Sequence, residues 1–223
     1  MRILDLFCGG GGASDGYRRA FPDADITGVD IDPQPYYPNT FIQHDALTVD
    51  LSGYDFIHAS PPCQGYSTGV SSTDSKYVPT RGKNEPRLIE PIRARLIAAG
   101  VPYVIENVRG AREYLIDPVC LCGSMFDLDI PRHRYFETSF PVNHPVHPKC
   151  AGIAKRAAAR RGWEYRDMSV TGKGRHAGTS ERWAELLGIH RVMRQHDYAE
   201  SIPPAFTHYL GGELAAHLEE KAA

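Results

Sequence analysis

The chain is short of several things, and each shortage removes a class of protein. No apolar run approaches the roughly 18 residues of a membrane span, and the N-terminus (Arg2 to Phe7) reads as a strand rather than a signal peptide. There are only five cysteines, Cys8, Cys63, Cys120, Cys122 and Cys150, and their spacing forms no disulfide framework. Reduced thiols in a cytoplasmic protein are therefore expected. The net charge is only −2, which argues against indiscriminate nucleic-acid binding. No GxGxxG pattern and no Walker lysine accompany the glycine run near the start, so that run is not written for phosphates.

What is present is an ordinary globular composition: 223 residues, 42% hydrophobic and 23% charged, enough for one well-buried domain with a small appendage. The charge is unevenly spread. Residues 1–60 hold nine acidic side chains against three basic ones, whereas residues 151–179 hold seven basic (Lys155, Arg156, Arg160, Arg161, Arg166, Lys173, Arg175) against Glu164 and Asp167. Such a basic run is either a solvated helix face or a surface that meets phosphates.

The pattern along the chain alternates strands with helices. A first strand ends at Phe7-Cys8, four glycines follow, and Ala13 to Ala20 reads as a helix; this brings backbone N–H groups to a ligand at a helix N-terminus. A second strand, Asp25 to Val29, ends in Asp30-Ile31-Asp32, and a third, Phe41 to His44, ends at Asp45. Carboxylates at those strand ends suit the hydroxyls and amino group of an adenosine. A fourth strand around Phe56-Ile57 is halted by Pro61-Pro62, which presents Cys63 at the carboxyl end of the sheet. A long polar connection from Gly65 to about Pro86 follows; connections of that length are usually functional or disordered. Leu88 to Ala99 has helical spacing and stops at Gly100. A fifth strand, Pro102 to Ile105, delivers Glu106, and Pro204 to Leu218 reads as a final core helix.

In order, DLFCGGGG, GVDID, HDA, SPPCQGYS, IENV and RHRYF resemble the successive motifs of the C5-cytosine-specific DNA methyltransferases. The resemblance runs from residue 1 to about 140 and resumes at ERWAELLGI (181–189) and SIPPAFTHYLGGEL (201–214), about four-fifths of the chain. It implies an α/β, Rossmann-like S-adenosylmethionine-dependent methyltransferase fold, a mostly parallel sheet with helices on both faces. It implies a catalytic and cofactor-binding part at 1–139, a reduced target-recognition segment at 140–180, and C-terminal helices at 181–223 that complete the catalytic domain.

For the chemistry, the resemblance implies that the Cys63 thiolate adds to C6 of a flipped cytosine, so that C5 can take the methyl group of S-adenosylmethionine. Glu106 would bond the N3 edge, and one of Arg132 and Arg134 the carbonyl oxygen. Phe7, Cys8, Gly9, Gly10, Asp30, Ile31, Asp45, Pro61, Ser201 and Ile202 fall on cofactor positions; Pro62, Gln64, Ser67 and Asn107 fall on substrate positions. The partner implied is double-stranded DNA, read over a short target or with help from a second subunit, in a restriction-modification type of enzyme of the bacterial or phage-infected cytoplasm. Three alternatives stay open: the same reaction on RNA, transfer of another group from a modified cofactor, and a catalytically idle DNA-binding relative. The chain departs from the family pattern at Ile130, where a glutamine is usual, and at Glu200, where an asparagine is expected. Cys120, Cys122, His144, His147 and Cys150 include metal-ligand types, but without a C-x-x-C pair they are read as scattered structural residues, and no metal is expected.

Overall fold

Buried runs of Ile, Leu, Val and Phe make β1 (Arg2–Leu6), β2 (Asp25–Asp30) and β4 (Phe56–Ala59), the composition of strands covered on both faces. In the computed structural model, which describes residues 1–66, 86–170 and 179–222, these join β3 (Thr40–Gln43), β5 (Tyr103–Asn107), β6 (Val119–Leu121) and β7 (Arg134–Thr138). The seven strands form one sheet in the order β3-β2-β1-β4-β5-β7-β6. The first five are parallel, and β7 runs antiparallel between β5 and β6.

Helices cover both faces. On one, α1 (Gly12–Ala20) and α6 (Pro204–Ala222) set Tyr17, Phe206, Leu210 and Leu214 against Ile3, Phe56, Val104 and Phe136. On the other, α2 (Ile89–Ala99) sets Ile89, Ile92 and Leu96 against Leu4, Leu6, Ile57 and Ile105. The two helices of the first face meet backbone to backbone. A Cβ at Gly16 would lie 2.0 Å from Thr207 Oγ1, whose hydroxyl donates to the Ala13 carbonyl at 2.8 Å. Any side chain at Gly16 would wedge α6 away from the sheet.

The elements beyond β5 differ from the sequence reading. β6 and β7 had no expected counterpart, and α3 (Ile153–Arg161), α4 (Ser180–Leu187) and α5 (Gln195–Glu200) share a small core of their own. Its members include Ile130, Ala157, Met168, Val170, Trp183, Leu187, Met193 and Tyr198. Residues on both sides of position 180 bury one another in this small core, and of the C-terminal helices it is α6 that packs against the main sheet. No described helix is long and apolar enough to cross a membrane.

Candidate active site

The carboxyl ends of β4 and β5 build the centre. After Ser60 the chain leaves the sheet through buried Pro61 and exposed Pro62 to a partly exposed Cys63, whose carbonyl accepts from Tyr66 N at 3.1 Å. Asn107 braces this exit: its Nδ2 donates to the Pro61 carbonyl at 2.8 Å, and its Oδ1 accepts from Val108 N at 2.9 Å. At 1% exposure, with its amide so engaged, Asn107 holds two strand ends together. Gln64 is exposed beside the thiol; Ser67, and most of the long polar connection from Gly65, lie outside the described residues. The two feet of that connection are fastened, with Arg87 Nε donating to the Gly65 carbonyl at 3.1 Å and Ile89 N to Tyr66 Oη at 3.0 Å.

The register that pairs Ala59 with Ile105 carries Glu106 up beside Ser60. Glu106 is 6% exposed, and Arg134 Nε lies 3.0 Å from its Oε1. That contact is an ion pair without hydrogen-bond alignment, since Oε1 has no hydrogen-bond partner among the described residues. Burial pushes the Glu106 carboxyl up from its ordinary range, and the charges of Arg134 and Arg132 and a hydrogen bond from Ser60 oppose it. The result is a carboxyl that holds a proton more readily than a surface one and has a free acceptor.

The two arginines do different things. Arg132 gives its terminal nitrogens to the backbone, Nη1 donating to Val170 O at 3.2 Å and Nη2 to Ala199 O at 2.6 Å and Ser201 O at 2.9 Å, while its buried Nε has no hydrogen-bond partner among the described residues. Burial, then the charge of Arg134, holds its guanidinium well down; Glu106 and Cys63 both act on it in the other direction. Cys63, Glu106, Arg132 and Arg134 therefore share one neighbourhood. Within it, Arg134 is the one turned to the carboxyl, while Arg132 ties the site to the C-terminal segments.

A residue that the sequence reading passed over completes the arrangement. His58, fully buried in β4, meets Tyr17 Oη at 2.9 Å through Nδ1 and Ser60 Oγ at 2.8 Å through Nε2. Burial lowers its pKa to about 3, so the ring is neutral and one nitrogen must accept while the other donates. One direction satisfies every partner: Tyr17 donates to His58, His58 to Ser60, and Ser60 to Glu106. A histidine between Ile57 and Ala59 in a wholly buried strand was the available signal.

The second half of the site lies at the ends of β1 and β2. Gly9 N donates to Asp30 Oδ2 at 2.9 Å, and Asp32 N to Asp30 Oδ1 at 3.0 Å, so the Asp30 carboxylate knits the glycine turn to β2. Gly9 adopts φ 46°, and nothing lies within 4 Å of where a Cβ would be, so the turn opens on space there. Ile31 is 66% exposed beside it, and Asp45 is exposed at the end of β3. Glu200 is near enough for Asp30 to help raise its carboxyl, after burial, and it pairs with His196 at 3.2 Å. Three of the expected cofactor positions are buried. Cys8 is 7% exposed, with burial and the charges of Asp5 and Asp30 pushing its thiol up. Ser201 and Ile202 are buried, with Ser201 and the Ile202 carbonyl close against Gly12. Behind them Asp5 is buried; Ser14 Oγ donates to it at 2.6 Å, its Oδ1 has no partner among the described residues, and burial raises its pKa to about 7.

No family model matches the sequence, and no curated protein matches it. The likeness is in three dimensions. A DNMT2 from Spodoptera frugiperda superposes with TM-score 0.55 at 14% identity, covering 98% of this chain and 99% of that one. A methyltransferase from Entamoeba histolytica, EhMeth, superposes with TM-score 0.54 at 14% identity, covering 100% and 99%. The chain thus has the Rossmann-like methyltransferase fold expected of it, over its whole length.

Proposed function

We propose that the chain is an S-adenosylmethionine-dependent cytosine-C5 methyltransferase that acts on a cytosine flipped out of duplex DNA. The observation that carries this is the convergence of Cys63, Glu106 and Arg134 at adjacent strand ends, with the open glycine turn on the neighbouring strand. The rim of Gly9, Asp30, Ile31 and Asp45 fits an adenosine: open backbone, two carboxylates for hydroxyl and amino groups, and one exposed apolar side chain for the ring. The bound cofactor supplies an electrophilic sulfonium methyl group.

The residues of the chain then divide the work. The Cys63 sulfur forms a bond to C6, and the ring electrons move toward C5 and N3. Glu106, kept protonatable by burial, holds a proton at N3 as that charge develops. Arg134 lies beside it to bond the carbonyl oxygen, while Arg132 and Asn107 hold the frame. C5 would then take the methyl group that the cofactor supplies and lose its proton to solvent, N3 would return its proton to Glu106, and the C6–S bond would break to return the thiolate. A duplex carrying 5-fluorocytosine tests this, because fluorine at C5 blocks the final elimination. An adduct stable to denaturant is expected with cofactor and the native chain, and none with Cys63→Ser. Binding without adduct in the native chain would leave an idle DNA-binding protein, and an adduct formed on matched RNA but not on DNA would move the substrate.

A further inference from the structure

Four metal-ligating side chains meet far from one another in sequence. Cys122 follows β6, His133 precedes β7, and His147 and Cys150 lie in the stretch that leads to α3. One donor atom from each lies within 4.8 Å of all the others. Of the five residues considered from sequence, three belong to this group, Cys120 and His144 do not, and His133 joins it from between the two site arginines. The spacing, C-x10-H-x13-H-x2-C, lacks the close cysteine pair that marks a zinc site in sequence.

From this convergence we infer that the chain holds a structural zinc ion on Cys122, His133, His147 and Cys150. A tetrahedral N2S2 site with Zn–S near 2.3 Å and Zn–N near 2.0–2.1 Å needs donor separations of about 3.3–3.8 Å. Cys150 Sγ and His133 Nε2 stand 3.7 Å apart, and the other pairs need close by no more than about 1.5 Å, from within 4.8 Å. The His133 and His147 rings meet edge to face at 5.2 Å, aiming two imidazoles at one point rather than stacking them. The outer contacts suit ligands as well. Ser124 Oγ donates to Cys122 Sγ at 3.2 Å, and the His133 ring bonds the Pro131 carbonyl, as metal-bound imidazoles do to fix their orientation. Four protein ligands leave no open position, so the ion is structural. Residues 141–150 carry no helix or strand, and the ion would tie that stretch to the sheet edge beside Arg132 and Arg134. None of this depends on the methyl-transfer chemistry.

The test is elemental analysis of the full chain purified without chelator, followed by exchange with cobalt(II). One zinc per chain is expected, together with a tetrahedral cobalt spectrum that includes sulfur-to-metal charge transfer. Cys150→Ser and His147→Ala should each lose the metal, whereas Cys120→Ser and His144→Ala should retain it. His147 is exposed, so its variant is the one least able to fail through misfolding. Native protein that neither carries zinc nor takes up zinc or cobalt on reconstitution would overturn the site. So would a Cys122–Cys150 disulfide in place of the metal, or loss of metal in the Cys120 and His144 variants alone.

Discussion

Two polar regions of this molecule are built on opposite terms. At the strand ends, the polar groups are buried and joined by single hydrogen bonds: Tyr17 to His58 to Ser60 to Glu106, and Tyr37 with Ser14 to Asp5. Around the small core of α3 to α5, they stand at the rim and pair as ions. Asp129 takes Arg160 at 2.6 Å and Arg161 at 2.7 Å, Asp167 takes Arg182 at 2.6 Å, and Trp163 is flanked by the Arg161 and Arg182 guanidinium groups. Burial shifts proton affinities, whereas ion pairs at a rim depend on salt. The first region should respond to pH and the second to ionic strength.

The largest expected effect is at Asp5. Its folded pKa, about 7, lies above the ordinary 3.8, so between those values the folded chain keeps a proton that the unfolded chain has released. Stability therefore falls as pH rises through that window and levels off above it, by on the order of 4 kcal/mol for one fully buried group. Asp5→Asn removes the titration. Denaturant melts at pH 5 and pH 8 should show the variant gaining on the native chain as pH rises. A constant difference between the two pH values would mean that the first region is not governed by burial.

A smaller effect belongs to the hydrogen-bond chain. Ser60 opposes the upward push on the Glu106 carboxyl, so Ser60→Ala should let that pKa rise further. If the protonated carboxyl is the active form, the alkaline limb of the rate profile moves to higher pH, by no more than about one unit. Because the shift is in the profile and not merely in the rate, it separates positioning of the acid from general damage to the fold. An unmoved limb with reduced rate would leave Ser60 a packing residue.

The same contrast explains what could be seen in the sequence. Cys63, Glu106, Asp30 and the glycine turn were legible because each sits in a contiguous stretch where a strand ends, and strand ends in such sheets converge by topology. The work of Asn107, Arg132 and His58 was not, because each is defined by a partner distant in sequence: Pro61, Ser201 and Tyr17. The small core escaped for another reason. α3 reads IAKRAAARR, and the side chains it buries most completely, Ala157 and Ala158, are too small to give an apolar period against its four basic residues. The segment therefore read as a charge run, either a solvated face or a phosphate-contacting one, and part of that charge is paired with Asp129 and Glu185.

The expected effects are smallest for the basic side chains of the segment that would meet a phosphate of the proposed DNA. Arg160 is 63% exposed but already paired with Asp129, so Arg160→Ala should cost less than about 1 kcal/mol of stability, and less still at high salt. It should also leave the salt dependence of DNA binding unchanged, because a cation neutralised within the protein releases no counterion on binding. Lys155, exposed on the same helix, should behave in the opposite way: Lys155→Ala should leave stability alone and reduce the slope of log K against log salt by about one. Titrations of both variants at several ionic strengths decide the matter. Equal slopes for Lys155→Ala and the native chain would make α3 a prop for the small core with no phosphate contact at Lys155, and a reduced slope for Arg160→Ala would show that its pairing with Asp129 opens when DNA arrives.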